Sequence, residues 1–207
     1  MKGAQMQMTV SDVGLRILGK KRTWRQVADI SSDWIQNGSS TLEVESLGRK
    51  LRGSKQVTSA QVDSFIRSVC DWGGGSRVYG RLQQLNRENP AQVASGFREI
   101  IALLRDKNVD RAEALITMNR IKGLGSPSYA SKHLRMLKPE QFVVLDSWIH
   151  NKLEVPLNPA SYKDFCTACE DAATIMNEHS KIPCPFAKAW RAADVEVAIF
   201  QTVRRGA

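Results

Sequence analysis

The chain has 207 residues, of which 30 are Lys or Arg and 21 are Asp or Glu, so its formal net charge is +9. This length fits one large domain or two small lobes around one core, and an apolar fraction of 42% argues against disorder. No apolar run approaches the roughly 18 residues that span a bilayer, and residues 1–15 lack the apolar block of a secretory signal. We therefore expect a cytosolic protein whose positive charge attracts a polyanion, with nucleic acid the leading candidate.

The positive charge is unevenly distributed along the chain. Residues 72–138 carry 12 basic and 5 acidic side chains, a net charge of +7, and residues 1–55 carry a net charge of +5. Residues 139–207 carry 7 basic and 9 acidic side chains, a net charge of −2. The middle of the chain is therefore the segment that we expect to face a polyanion.

Helical periodicity dominates, and no segment shows a convincing strand alternation. Thr23 is a candidate cap for a helix that ends at Asn37 before Gly38, and Thr58–Gln61 resembles the capping box of a helix that ends at Gly73–Gly75. Further helices are predicted around Leu42–Leu51, from Asn89-Pro90, from Asp110, over Pro127–Leu137, from Ser147, over Ser161–His179 and from about Phe186 to Arg204. The pattern predicts an all-α fold with nine or ten helices, in which Asp194 and Glu196 lie on the solvated side of the last helix.

Four cysteines offer a metal site as one interpretation. Cys166 and Cys169, followed by His179 and Cys184, have a spacing that invites a zinc hypothesis. The same cysteines fall on the apolar face of the predicted Ser161–His179 helix, where small buried thiols are common. We expect structural cysteines and no metal.

The segment Ile121-Lys-Gly-Leu-Gly125 lies between two predicted helices. Gly123 and Gly125 let the backbone turn sharply, so that the turn and the following helix start can present several amide N–H groups in one direction. Such a concavity suits a phosphate, to which Lys122, Ser126 and Ser128 could add contacts. The alternative is an ordinary turn.

This segment resembles the hairpin of the helix-hairpin-helix DNA glycosylase superfamily, and Val143–Asp146 resembles that family's aspartate-bearing segment. Ala130–Arg135 and Leu145-Asp146 are closer to the 8-oxoguanine DNA glycosylase branch, notably its compact microbial members. The resemblance implies one glycosylase-like domain over residues 1–207, with the hairpin element at about 110–137 and an active-site cleft between two helical lobes. It further implies a hairpin that grips DNA phosphate and can hold a monovalent cation, and a base flipped between the lobes. We expect a monomer in a bacterial or archaeal cytosol.

Asp146 is the candidate catalytic acid. Cleavage of an N-glycosidic bond develops oxocarbenium character on the sugar, which a nearby carboxylate stabilises while it or a water attacks. The alternative role is a cap for the helix that starts at Ser147, and the two roles are compatible.

Lys132 is the candidate nucleophile, although its position departs from the family pattern. In the oxoguanine branch a Schiff-base lysine follows the second hairpin glycine by a few residues, where this chain has Ser128 and its neighbours. Ser128 and Lys132 are four residues apart and share a helix face, so Lys132 could reach the same pocket. Otherwise Lys132 is a surface or phosphate-contacting lysine, and the enzyme is monofunctional.

Other candidate residues are assigned by position. Arg77 or Tyr79, after the glycine run, could contact DNA where the base has left, or that run is only a linker. His150 shares a helix face with Asp146 and could contact phosphate, whereas Phe186 and Trp190 could form the wall of a base pocket or simply belong to the core.

The leading hypothesis is therefore a DNA glycosylase, with abasic-site lyase activity if Lys132 is the nucleophile, and 8-oxoguanine as the first substrate to test. A redirected relative could excise a modified base from phage DNA as part of antiviral defence. A non-catalytic DNA-binding module that keeps the hairpin is the alternative from another class, and it needs neither Asp146 nor Lys132 in a pocket.

Overall fold

The computed structural model describes residues 6–36, 40–88, 90–124, 127–178 and 181–205, with side chains at all of these except 76, 77, 85–87 and 90. Within these ranges the chain forms three short strands and ten helices. It divides into two compact units, which we call the terminal unit (Met1–Ser39 and Pro139–Ala207) and the central unit (Ser40–Lys138). The mostly helical prediction is confirmed, and the strands correct its all-α form.

The elements follow one another in a simple order. The strands are β1 (Met8–Ser11), β2 (Gly14–Ile17) and β3 (Lys20–Thr23). The helices are α1 (Trp24–Gln36), α2 (Thr41–Gly53), α3 (Ser59–Trp72), α4 (Ser76–Glu88), α5 (Pro90–Leu104), α6 (Arg111–Asn119), α7 (Pro127–Leu137), α8 (Ser147–Leu153), α9 (Pro159–Glu178) and α10 (Ala192–Arg204). None of the described helices combines the length and the apolar character needed to cross a bilayer.

The sheet is an antiparallel meander of β1, β2 and β3 in chain order. Leu15 and Ile17 of β2 point to one face and are buried with Met8 of β1, which is the alternation of a half-buried sheet. Leu18 and Gly19 join β2 to β3 with positive φ angles of 51° and 77°, as a two-residue hairpin turn requires. Each strand has four residues, too few for a clear alternation in the sequence, and this is why the sheet was missed.

Helix α10 differs from its prediction in both its start and its environment. It begins at Ala192 rather than near Phe186, because the preceding segment contains Pro183 and Pro185 and runs without regular structure from 181 to 191. Asp194 and Glu196 are buried, so the prediction of a solvated side is wrong. The N–H of Arg191 and the Nε and Nη2 of its guanidinium donate to the Asp194 carboxylate at 3.1, 2.9 and 2.6 Å, which compensates the buried charge.

Most predicted helices of the central unit are confirmed. Thr58 and Gln61 form the predicted capping box of α3, and the apolar residues predicted to face inward from α5 are buried: Val93, Phe97, Ile100, Ile101 and Leu104. Helix α4 was missed because it has few strongly apolar positions, and Leu82 is the side chain that it buries fully among those described. Three predicted helix boundaries, at Gly38, Asn89 and His179, fall outside the described residues.

Candidate functional site

The predicted hairpin element is present as α6, a turn and α7, all in the central unit. Asp110 caps α6, since its Oδ1 accepts hydrogen bonds from the N–H groups of Ala112 and Glu113 at 2.8 and 3.1 Å. In the turn Gly123 has a φ of 98°, a conformation that favours glycine, and Lys122 is exposed to solvent. Gly125 and Ser126, two of the predicted phosphate ligands, lie outside the described residues.

The turn is anchored to α5 by apolar contacts. Ile121 and Leu124 are buried, so the turn presents its backbone rather than its apolar side chains to solvent. Gly96 of α5 lies directly beneath Ile121, and a Cβ atom at position 96 would approach the Ile121 Cγ1 to 2.7 Å. The missing side chain at Gly96 therefore lets the turn pack closely on α5.

Lys132 lies on α7 and contacts the glycine run that follows α3. Its Nζ donates to the carbonyl oxygen of Gly73 at 3.1 Å and lies 4.7 Å from the centre of the Tyr129 ring. A Cβ atom at Gly75 would overlap the Tyr129 ring, and one at Gly73 would lie 3.0 Å from the Lys132 side chain. The glycines thus allow α7 to pack tightly on the end of α3, and both contacts of the lysine are ones that an ammonium group makes.

The next turns of α7 are buried by polar contacts that the sequence gave no means of assigning. Arg135 is fully buried, pairs with Glu45 of α2 through Nη1 and Oε1 at 2.8 Å, and its guanidinium lies 5.4 Å from the Trp72 ring centre. The indole N–H of Trp72 in turn donates to Thr41 Oγ1 at 2.9 Å. This network joins α2, α3 and α7 and fixes the rotation of α7 about its axis.

His133 is equally buried, between the rings of Phe65 and Phe97. Its Nδ1 lies 2.8 Å from the Tyr129 carbonyl oxygen, which can only accept, so Nδ1 carries the ring proton. Burial lowers the pKa of His133 to about 4, opposed by that backbone hydrogen bond. His133 is therefore a neutral core residue and not a candidate for proton transfer near pH 7.

Asp146 lies in the terminal unit, directly after the buried segment Phe142–Leu145. The hydroxyl of Tyr162 donates to the Val143 carbonyl at 3.0 Å and so holds this segment to α9. The N–H groups of Trp148 and Ile149 both donate to Asp146 Oδ1, at 2.9 and 3.0 Å, so the predicted cap is confirmed. The side chain is half-exposed, and its Oδ2 accepts no hydrogen bond from any described residue.

The remaining predicted site residues are placed as follows. His150 is half-buried, and its Nδ1 lies 2.8 Å from the Val155 carbonyl oxygen, which orients the ring across the end of α8. Tyr79 accepts a hydrogen bond from Arg67 Nε at 2.9 Å, whereas the side chain of Arg77 is outside the described part. Ser128, in the first turn of α7, is half-buried, and its carbonyl accepts from Ser131 Oγ at 2.9 Å.

Phe186 and Trp190 are not on a helix, contrary to the prediction, but in the irregular segment before α10. Trp190 is buried because its indole N–H donates to the Ile182 carbonyl at 2.7 Å and its backbone is held at both ends by Asn177. Phe186 is half-exposed and meets Trp190 edge-on, with ring centres 6.4 Å apart. Of the two predicted wall residues, Phe186 is the accessible one.

The cysteines lie apart from any cluster of potential metal ligands in the described ranges. Cys70, Cys166 and Cys169 are buried, and burial raises the pKa of the Cys169 thiol well above its usual range. Burial, with Asp71, also raises the pKa of Cys70 to about 11, while the charge of Lys132 opposes this rise. His179, the fourth residue of the zinc hypothesis, is outside the described residues.

The two units differ strongly in charge. The central unit contains 17 basic and 9 acidic residues, a net charge of +8, whereas the terminal unit contains 13 and 12, a net charge of +1. The hairpin turn and Lys132 belong to the positive unit, and Asp146 and His150 belong to the nearly neutral one. Comparisons with protein-family models, with curated proteins and with solved structures find no match to this chain.

Proposed function

We propose that this protein is a DNA glycosylase, which flips a damaged or modified base out of the duplex and cleaves its N-glycosidic bond. The observation that carries the proposal is the state of the Asp146 carboxylate. Two backbone amides fix Oδ1, while Oδ2 is left without a partner among the described residues at a half-exposed helix start. A carboxylate held in one orientation with one oxygen open is suited to stabilise positive charge that develops on a sugar.

The charge of the central unit supports a nucleic-acid substrate. A net charge of +8 on this unit attracts the phosphate backbone, and the turn between α6 and α7 exposes backbone and Lys122 while it buries Ile121 and Leu124. Phosphate contacts of this kind position a duplex without reading its sequence. We propose that the central unit supplies the grip on DNA and that Asp146 supplies the chemistry.

The substrate and the nucleophile form the finer part of the proposal. 8-Oxoguanine is the first base to test, and a modified base of phage DNA is the second. In the lyase version, the Lys132 amine attacks C1′ of the sugar, the base leaves, and a Schiff base forms. Lys132 must then give up its contacts with Gly73 and Tyr129. In the monofunctional version Asp146 activates water, and no strand cleavage follows.

The test is a screen of duplexes that each carry one modified base, assayed for abasic sites with and without alkaline treatment. We expect base release from at least one duplex, with strand breaks that need alkali if the enzyme is monofunctional. Borohydride trapping distinguishes the two versions: a covalent complex with the wild type, absent in Lys132→Gln and kept in Lys50→Gln, supports the lyase. Lys50 is an exposed lysine of α2 and serves as the matched control. Trapping by Lys132→Gln excludes the Schiff-base role.

One observation favours a second function, a DNA-binding protein without catalysis. The ammonium of Lys132 is held by the Gly73 carbonyl and the Tyr129 ring, which is a sufficient structural role for this residue. Such a protein would bind unmodified duplex with an affinity that falls steeply with salt, and it would release no base. An affinity that does not change with salt contradicts both functions.

A further inference from the structure

A cavity of about 520 Å³ opens on the central unit, apart from the hairpin turn. One wall is the segment Ser54–Ser59, which leads into α3, and the other is the C-terminal half of α5 with Arg98, Ile101, Ala102 and Arg105. Arg98 Nη1 donates to the Val57 carbonyl at 3.3 Å and so joins the two walls. The site therefore has a defined position in the fold, which the sequence could not indicate because its walls are about 40 residues apart.

Three cations line this cavity, and no carboxylate does. They are Lys55, Arg98 and Arg105, and within the described part of the chain none of the three forms an ion pair. Other exposed arginines of the protein do have acidic partners, for example Arg120 with Glu99 at 3.8 Å. Like charges around one cavity repel each other, and an anion removes that repulsion.

The α5 residues are spaced to leave room for a ligand between the charges. Arg98 and Arg105 are seven residues apart, so they lie on one face of the helix, with the small Ala102 between them. Thr58 and Gln61 already cap the start of α3 through their own side chains. The anion-binding capacity of the cavity thus comes from the three cationic side chains and not from the helix end.

We propose that this cavity binds phosphate groups. Guanidinium groups form paired hydrogen bonds with phosphate oxygens, and the cavity has no aromatic residue on which a base could stack. The site is separate from the hairpin turn: Gly96, which carries the turn, is about 200° around α5 from Arg98. This inference goes beyond the proposed function, because phosphate binding here requires no base excision.

The test uses two probes, inorganic pyrophosphate in calorimetry and an unmodified duplex in fluorescence anisotropy. The variant is Arg98→Gln with Arg105→Gln, and the control is Arg49→Gln with Arg81→Gln, which removes the same charge from exposed sites on α2 and α4. We expect the first pair to weaken binding of one probe by about tenfold relative to the control pair, since two charge-assisted hydrogen-bonding groups are lost. Arg98→Lys with Arg105→Lys retains the charge and should recover part of the affinity.

The two probes identify the source of the phosphate. Weaker pyrophosphate binding with unchanged duplex binding indicates a free phosphate ligand. Weaker duplex binding, with a salt dependence reduced by about two phosphate contacts, indicates the DNA backbone. If the variant pair and the control pair bind both probes alike, while circular dichroism shows both folded, the cavity is not a phosphate site. None of these outcomes depends on base release, so the glycosylase proposal is tested separately.

Discussion

Three helices have an aspartate at or near their first residue, and the three carboxylates are used very differently. Asp110 of α6 and Asp146 of α8 have nearly the same cap geometry, with Oδ1 accepting two backbone amides at 2.8–3.1 Å. Asp194 of α10 is buried, and both of its oxygens accept hydrogen bonds from Arg191. A cap is therefore no sign of catalysis by itself; what distinguishes Asp146 is the open Oδ2 at a half-exposed position.

The largest effect on stability is expected at Asp194. Asp194→Ala leaves the Arg191 guanidinium, which is 10% exposed, without its carboxylate partner, and this should lower the free energy of unfolding by about 3–5 kcal/mol. Chemical denaturation followed by circular dichroism measures the change. The double variant Arg191→Met with Asp194→Ala removes both charges and should recover much of the loss. An equal loss in the double variant would show that the ion pair is not the cause.

A smaller effect is expected at Asp110. Asp110→Ala removes the cap of α6 and should cost about 1 kcal/mol, the usual value for loss of an aspartate cap. Asp110→Asn should cost far less, because asparagine caps helices about as well as aspartate. Thermal denaturation of the two variants tests this difference, and equal losses would contradict the assignment of the cap.

The smallest effect on stability is expected at Asp146. Asp146→Asn keeps an acceptor for Trp148 and Ile149, and the charge that it removes has no partner among the described residues. The free energy of unfolding should change by less than about 0.5 kcal/mol. The duplex affinity should stay within about twofold, measured by anisotropy. A large loss of stability would assign Asp146 to the fold, as for Asp194, and would weaken its proposed role in catalysis.

The parts of the fold that the sequence predicted are those with local signals. The caps at Thr58, Asp110 and Asp146 were predicted because a capping side chain and its target amides are two or three residues apart. The buried face of α5 was predicted because its period is local as well. The burial of Asp194 and Glu196 was not predicted, since α10 is surrounded by other elements of the terminal unit and the sequence of one helix does not show this.

The candidate site shows the same division. Asp146 was recognised from the segment around it, whereas the contact of Lys132 with Gly73 spans 59 residues and follows from packing alone. The cavity with Lys55, Arg98 and Arg105 was missed for the same reason. Charge along the chain pointed to residues 72–138, and the structure assigns the excess to a unit that also includes residues 40–71.

The most direct test of the central claim is single-turnover base release by Asp146→Asn beside the wild type and Asp110→Asn. The substrate is a duplex from which the wild type releases its modified base. The account predicts that Asp146→Asn loses at least about 100-fold in rate, as expected for removal of a group that stabilises transition-state charge, while Asp110→Asn keeps the wild-type rate. Release by Asp146→Asn at the wild-type rate, or no release by the wild type from any duplex tested, would contradict it.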